Sequence, residues 1–341
     1  MSVLQSTAQV YVWQQDLWQH LQQRYPNIGH ALLFYGKKGC GKEAFTKNFI
    51  AWILCEQKQA DQACGCCQSC VWLESEIHPH LMLIQPEEAE QKDKNDSKSK
   101  ASSKIKIEKI REILPFVNQT LEGWRIILID PAEAMNIAAS NALLKTLEEP
   151  SERVILILLA EHYLKIPATI RSRTQHFALD RISTQQAMSY LQQHFSQQQQ
   201  SMTPEKLQIL LNLSENMPLS AIQLAESVWF EHRQSFIDDW VKLLKQKDMP
   251  MSYAQKWQKA LNFAEFNMLL EFMVNDLIRY KLNQPIYNQD LQHLEQLISQ
   301  LSLEYLFDFY QYIQSSKQAV EQNVQTQLFV ENYFIRLMNV S

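Results

Sequence analysis

The segment GKKGCGKEAF, from Gly36 to Phe45, limits the possible folds of this chain more than any other feature. It has the phosphate-loop spacing G-x-x-x-x-G-K, in which backbone N–H groups, a helix N-terminus and the lysine hold phosphate groups. A short apolar run ends in this loop, and apolar residues at three- and four-residue spacing follow it. The pattern predicts a strand, a loop and a helix, with Gly36, Gly41 and Lys42 as the phosphate-binding positions.

One position departs from a working loop, because Glu43 stands where the chemistry of Mg²⁺ and ATP requires Ser or Thr. The hydroxyl that would hold the metal is missing, and a carboxylate adds negative charge beside the seat of an anionic ligand. That carboxylate also complements the dipole of the following helix by itself. We therefore interpret Gly36, Gly41 and Lys42 as a vestigial phosphate loop. A glycine turn with no relation to nucleotides remains the alternative.

A second element of a nucleotide site is an acid at the end of a strand, followed by a glutamate that activates the attacking water. The run IILIDPAEA supplies Asp130 but places Pro131 at the glutamate position. Glu133 lies two residues further on, and we expect it to point elsewhere. We interpret Asp130 as a vestigial cofactor-binding residue, with a cap on the next helix as the alternative.

Two apolar runs, RIILID and RVILILLA, are too continuous for strands with one solvated face and suit a buried parallel sheet. Between them, SNALLKTLEEP has helical spacing and ends in a proline. The alternation of strand and helix predicts a doubly wound α/β fold. After Gly123 the chain contains no glycine and is rich in Gln, Leu, Glu and Lys, which is typical of packed helices.

The 341 residues are enough for two or three domains, each with its own core. We predict an α/β domain over residues 1–179, a small helical domain over 180–227 and a longer helical region over 228–341. Residues 87–104 contain no large apolar side chain and mix both charge signs, which predicts a mobile insertion. A DNA-contacting arm is the alternative for that insertion.

All six cysteines fall between Cys40 and Cys70. Four of them follow the spacing C-x8-C-x2-C-x2-C, which suits tetrahedral zinc. A disulfide is the alternative, although it is disfavoured in a cytosolic chain. Cys66 is left over, because it is adjacent to the third ligand and its side chain should diverge. With every position filled by protein, the predicted zinc site is structural, and its ligands are Cys55, Cys64, Cys67 and Cys70.

The net charge of −5 argues against a protein that coats nucleic acid, since such binding needs a dense positive surface. No apolar run approaches the roughly 18 residues that span a bilayer, and the first residues lack the pattern of a secretion signal. These features predict a cytoplasmic protein with no membrane partner. Any contact with DNA should be local or shared with other subunits.

The segment ATIRSRTQHF contains two arginines, Arg171 and Arg173, near the end of the first predicted domain. An ordinary pair of surface arginines is one interpretation. The other is an arginine presented to the γ-phosphate of a nucleotide on a neighbouring subunit, where its charge stabilises the transition state.

Four segments together resemble the delta-prime family of bacterial DNA polymerase III clamp-loader subunits, within the AAA+ superfamily of ATPases. They are the altered loop GKKGCGKE, the cysteine segment ending in CGCCQSC, the run NALLKTLEEP and the segment TIRSRT. In that family NALLKTLEEP is highly distinctive, and zinc cysteines inserted after the loop helix narrow the field to clamp-loader subunits. The match is specific over roughly the first half of the chain and rests on helical pattern in the second.

The resemblance implies a C-shaped protein with an AAA+ domain over residues 1–179 and a zinc module at 55–70 within it. A helical lid over 180–227 and a helical collar over 228–341 follow, and the collar joins five subunits in a heteropentameric ring. The implied partners are the gamma or tau motor subunits and the delta subunit. The sliding clamp and primer-template DNA are reached through the complex.

The family's delta-prime members act as stators that neither bind nor hydrolyse ATP productively. They present the arginine of a Ser-Arg-Cys motif to ATP on the adjacent motor subunit. Ser172 and Arg173 match that motif, whereas Thr174 replaces the cysteine, which puts the geometry in question more than the charge. The resemblance therefore assigns the finger to Arg173, with Arg171 as the weaker candidate. No intrinsic ATPase is expected, although the chain would be a subunit of a polymerase holoenzyme.

Two other functions remain open. A motor ATPase of the gamma or tau type shares the zinc cysteines and the helix motif. It needs Ser or Thr after Lys42, Glu after Asp130 and an arginine in the lid, and the segment LSENMPLSAIQLAES contains no arginine. A zinc-ribbon DNA-binding scaffold predicts a basic face beside the cysteines, yet the flanking segments are neutral to acidic.

Overall fold

The computed structural model describes residues 10–86, 104–118, 122–199, 202–246, 249–320 and 325–338. The chain divides into two compact units, Met1–Gln186 and Ala187–Ser341. A further division near residue 227 stays a prediction. The insertion predicted over 87–104 lies outside the described residues, apart from Lys104.

The first unit is built around a parallel sheet of five strands in the order β2-β3-β4-β1-β5. β3 and β4 are buried along their whole length, as continuous apolar runs in a sheet covered on both faces require. The predicted parallel α/β arrangement is thereby confirmed. The strands are β1 Ala31–Tyr35, β2 Leu81–Ile84, β3 Arg125–Ile129, β4 Val154–Ala160 and β5 Gln175–Ala178.

Helices connect these strands and cover the sheet. One cluster of buried aliphatic side chains includes Ile127, Leu143 and Leu156 and joins α6 to the sheet. Another group of buried aromatic side chains, with Phe34 and Phe45 in edge contact, joins α2 to β1. The helices before the unit boundary are α1 Gln15–Arg24, α2 Lys42–Leu54, α3 Gln68–Glu74, α4 Ile107–Arg111, α5 Ile113–Val117, α6 Ile137–Glu148 and α7 Ala168–Arg171, and α8 Thr184–Gln197 spans the boundary.

The second unit is helical throughout its described residues. Its core includes a group of aromatic rings, in which Phe266 contacts Phe236, Trp257 and Phe334. The predicted helical C-terminal region is confirmed. Its helices are α9 Pro204–Leu213, α10 Pro218–Ala225, α11 Val228–Glu231, α12 Arg233–Gln246, α13 Pro250–Ala260, α14 Phe263–Lys281, α15 Leu294–Gln300, α16 Leu303–Val320 and α17 Thr326–Met338.

Local signals explain several helix starts in this unit. Thr203 caps α9 by accepting from the N–H of Lys206, and a proline opens that helix. Asn262 and Glu265 form a reciprocal capping box at the start of α14. Among the described residues, no helix is both long and apolar enough to cross a membrane.

Candidate functional site

The phosphate-loop sequence lies between β1 and α2, at the carboxyl edge of the sheet where ligands of doubly wound folds bind. Gly41 is the N-cap of α2 and has a φ of 85°, a left-handed conformation that favours glycine. Gly36 is buried and donates its N–H to the carbonyl of Ala160 at the end of β4. Lys42 is the first residue of α2. The loop shape predicted from the sequence is therefore present.

A segment of the same chain that precedes α1 packs against the loop at Cys40 and Gly41. Trp13 Nε1 and Gln14 Nε2 both donate to the carbonyl oxygen of Cys40, at 2.9 and 3.0 Å. The Tyr11 ring stacks on Trp13, and a Cβ added to Gly41 would lie 2.6 Å from that ring. Gly41 thus meets a steric requirement of Tyr11 as well as its own backbone conformation.

The charged residues at the loop reduce its suitability for a triphosphate. Glu43 is exposed in the first turn of α2. Burial, and then the negative charge of Glu43, raise the pKa of Asp130 to about 6, while Lys42 acts in the opposite direction. Glu133 also raises the pKa of Asp130, and Lys47 lowers it together with Lys42. A highly anionic ligand here would meet negative charge that a working loop lacks.

Glu133 is occupied by the backbone that follows β4. Its Oε1 accepts from the N–H of Glu161 at 2.6 Å and from that of His162 at 2.8 Å. This carboxylate therefore binds the protein's own backbone. The alternative that Asp130 caps the next helix is not supported, because Asn136 caps α6 by accepting from the N–H of Ala139.

The cysteine segment forms a compact cluster at the other end of α2. The sulfurs of its four members all lie within 4.8 Å of one another. Two sulfur pairs, 55 with 67 and 64 with 70, are separated by 3.9 and 4.0 Å. A zinc ion about 2.3 Å from four tetrahedral sulfurs would separate them by roughly 3.8 Å, so the spacing fits that metal. The structure brings together the four predicted residues, which are Cys55, Cys64, Cys67 and Cys70.

Backbone hydrogen bonds favour the thiolate form at Cys64, whereas burial raises the pKa values of the Cys55 and Cys70 thiols. The N–H of Cys64 donates to Cys55 Sγ, and the N–H of Cys67 donates to Cys64 Sγ, both at 3.3 Å. Backbone N–H groups of Cys66 and Cys67 lower the pKa of the Cys64 thiol to about 6. A thiol that ionises easily is a good metal ligand. Cys66 itself is exposed and lies outside the group of four.

A buried Ser–His pair anchors this segment. Ser69 Oγ donates to the carbonyl of Leu54 at 2.7 Å and lies 2.8 Å from His78 Nε2. The N–H of His80 donates to Nδ1 of His78 at 3.0 Å. Burial lowers the pKa of His78 to about 4, so the ring is neutral at physiological pH. The pair ties the cysteine segment to the turn before β2, and no spacing pattern in the sequence indicated it.

Arg173 and Arg171 differ in their surroundings. Arg173 Nε and Nη2 donate to Oε1 of Glu148 at 2.9 and 2.7 Å, and Nη1 donates to the carbonyl of Thr169 at 3.1 Å and to Ser172 Oγ at 3.2 Å. The Arg171 guanidinium lies over the Tyr163 ring, 4.6 Å from its centroid.

The exposed arginine of the pair is therefore Arg173, with 38% of its side chain accessible. Arg171 is half-buried and packs its charge against an aromatic face. Thr174 Oγ1 donates to backbone carbonyls at 3.3 Å from Ile170 and 3.2 Å from Arg171, so the residue that replaces cysteine serves the local turn. Glu148 lies in the segment NALLKTLEEP, but no sequence pattern indicated that it contacts Arg173.

Comparisons with known proteins agree with these features. A family model described as DNA polymerase III, delta subunit, matches residues 13–183. The DNA polymerase III subunit delta' of Pseudomonas aeruginosa is 32% identical over 296 residues, or 86% of this chain and 85% of the relative. The same subunit of Escherichia coli is 27% identical over 63% of this chain and 63% of its own length. The tau subunit of Bacillus subtilis is 29% identical over 58% of this chain and 33% of its own length.

Proposed function

The chain belongs to the delta-prime subunit family of DNA polymerase III, and on that premise we propose that it is the non-hydrolysing stator of a clamp loader. In this role it presents Arg173 to ATP bound by an adjacent motor subunit of the gamma or tau type. With a delta subunit, the complex places a sliding clamp on primed DNA in the cytoplasm. Family membership supports a clamp-loader subunit, and the finer role is our proposal.

The observation that carries the stator role is the contrast between the phosphate loop and Arg173 in the first unit. The chain's own phosphate loop is contacted by Tyr11 at Gly41 and by Trp13 at Cys40, and it lacks the hydroxyl that would hold Mg²⁺. Arg173, in contrast, is exposed and held at a fixed position by neighbouring oxygens. A guanidinium placed this way can stabilise charge that develops on a phosphoryl group in another subunit.

The cysteine cluster has a structural role in this proposal. Zinc held by these four thiolates would have no open coordination position, so it would stabilise the segment after α2 and supply no catalysis. The cluster begins at Cys55, directly after the last residue of α2, and therefore braces the helix that carries the phosphate-loop sequence.

The test is to replace Arg173 in a loader reconstituted from this chain with motor and delta subunits. We expect Arg173→Ala to leave assembly intact and to abolish most hydrolysis at the one ATP site that this chain faces, because an arginine finger contributes roughly 10³-fold or more to the rate. ATPase would be measured with primed DNA and clamp present. Arg171→Ala is the control and should retain most of the rate. An unchanged rate in Arg173→Ala would exclude the finger role.

The motor ATPase remains the second candidate, because the tau subunit of Bacillus subtilis also aligns with this chain. It predicts ATP turnover by the isolated chain that disappears in Lys42→Ala. The stator proposal predicts turnover at the background rate in both proteins. The measurement therefore separates the two functions without any partner subunit.

A further inference from the structure

We propose that Glu148 is the positioning residue for Arg173, and this inference rests on the proposed finger function. Glu148 is the last residue of α6, and Arg173 lies two residues after α7. The two side chains meet although 25 residues separate them in the chain. Their contact therefore links the end of α6 to the turn after α7, from which the Arg173 side chain projects.

The guanidinium is held from two sides. On one edge, Nε and Nη2 donate to the same oxygen of Glu148, at 2.9 and 2.7 Å. On the other side, Nη1 donates to the carbonyl of Thr169 at 3.1 Å and to the hydroxyl oxygen of Ser172 at 3.2 Å. Ser172 in turn donates its hydroxyl to the same carbonyl at 3.1 Å. These contacts define both the plane and the direction of the guanidinium.

A stability role does not explain this contact well. The side chains are 38% and 53% exposed, and an ion pair this accessible contributes little to folding. Its effect on geometry is larger, because a free arginine has many rotamers and loses that freedom when it binds a phosphate. An arginine that is already ordered avoids this loss in the transition state. Glu148 therefore acts through Arg173 and touches no reacting atom.

The test compares Glu148→Gln with Glu149→Gln in the reconstituted loader. Glu149 is the adjacent exposed carboxylate at the end of α6, so it controls for loss of one negative charge at that place. The measured quantity is the part of the ATPase rate that Arg173→Ala abolishes. We expect Glu148→Gln to lower the kcat of this part roughly fivefold and to change KM for ATP less than about twofold, since the contact orients a group that acts in the transition state. Glu149→Gln should leave both values unchanged.

Three further measurements separate positioning from general damage. Glu148→Asp keeps the charge and should recover part of the lost kcat. The double variant Glu148→Gln/Arg173→Ala should be no slower than Arg173→Ala alone, because residues that act as one unit are not additive. Melting temperature and complex assembly should be the same in Glu148→Gln and Glu149→Gln. If Glu148 had only a structural role, a lower kcat in Glu148→Gln would come with lower stability or weaker assembly.

The outcomes distinguish this inference from the function on which it rests. If Arg173→Ala leaves the rate unchanged, both the finger and its positioning residue are wrong. If Arg173→Ala slows hydrolysis but Glu148→Gln behaves like Glu149→Gln, the finger stands and the positioning role is wrong. A faster rate in Glu148→Gln would show that the carboxylate restrains the arginine, and would also overturn the inference.

Discussion

The cysteine cluster and the phosphate loop lie at opposite ends of the same helix, and they differ in completeness. At the C-terminal end of α2, four sulfurs converge at distances that fit one zinc ion. At the N-terminal end, the loop keeps its glycines and Lys42, but Tyr11 packs against Gly41, and the charge of Glu43 acts on Asp130. The C-terminal end has all four sulfurs that such a site needs, whereas the N-terminal end keeps the loop shape and Lys42 but lacks the hydroxyl.

The difference teaches how a loop can keep its shape while its chemical groups change. A glycine loop can be retained for steric reasons, since Gly41 is needed both for its positive φ and for the approach of the Tyr11 ring. A four-sulfur metal site, in contrast, has no spare position, because each sulfur is a ligand. We therefore expect the two ends of α2 to respond very differently to substitution.

The largest effect should come from the cysteine cluster. We expect Cys67→Ser to reduce bound zinc from about one ion per chain to near zero and to lower the stability of the first unit by several kcal/mol, because metal binding at such sites is coupled to folding. Metal analysis and thermal unfolding of the whole chain would measure both effects.

The matched control is Cys66→Ser, which changes the adjacent exposed thiol outside the group of four. It should keep its zinc and its melting temperature. If both variants lose the metal equally, Cys66 belongs to the ligand set. If the parent chain itself binds less than about half a zinc ion per chain, the cysteine cluster is not a zinc site.

Substitution of Asp130, the acidic residue near the phosphate loop, should have a smaller effect and should raise the stability of the first unit. Its folded pKa is raised from 3.8 to about 6, so the fold disfavours the charged form. The resulting destabilisation is fully present above pH 6 and disappears as the pH falls toward 4. Asp130→Asn should therefore stabilise the first unit by about 1–2 kcal/mol at pH 8, and by less at pH 5.5.

Thermal unfolding of Asp130→Asn and its parent at the two pH values would measure this gain. The exposed residue Asp61 offers a control, and Asp61→Asn should show no gain at either pH. Loss of stability at pH 8 in Asp130→Asn would mean that the charged carboxylate has a stabilising partner. In that case the phosphate-loop end of α2 would retain a charged acidic group, and the contrast between the two ends of α2 would be smaller.

The sequence predicted one end of α2 more completely than the other for a physical reason. All four sulfur ligands come from a segment of 16 residues, Cys55 to Cys70, so spacing alone defines the cluster. The strands were also predictable, because continuous apolar runs in β3 and β4 have no other stable place than a covered sheet.

The packing of the segment before α1 against the phosphate loop could not be predicted from local patterns. Trp13 reaches Cys40 across 27 residues, and Glu133 reaches the backbone of Glu161 across 28. The same holds for Glu148, whose partner is chosen by how α6 and α7 pack. Contacts of this kind depend on the tertiary arrangement, and short sequence patterns do not encode them. The division of the helical region at residue 227 likewise stays a prediction.

The smallest effect is expected at the phosphate loop. Glu43→Thr restores the hydroxyl that a Mg²⁺ site needs, yet we expect ATP turnover to stay at the background rate set by Lys42→Ala. Removal of one exposed like charge should improve nucleotide affinity by no more than roughly fivefold. Phosphate release and nucleotide titration of the isolated chain would measure the two quantities.

The reason for this null result is that the defects are independent. Pro131 occupies the position of the water-activating glutamate, and Glu133 is bound to two backbone N–H groups after β4. The carbonyl of Cys40 is also held by Trp13 and Gln14, which Glu43→Thr does not move. Hydrolysis in the single variant that depends on Lys42 would show that the loop lacks only one group. The contrast between the two ends of α2 would then be a difference of one side chain.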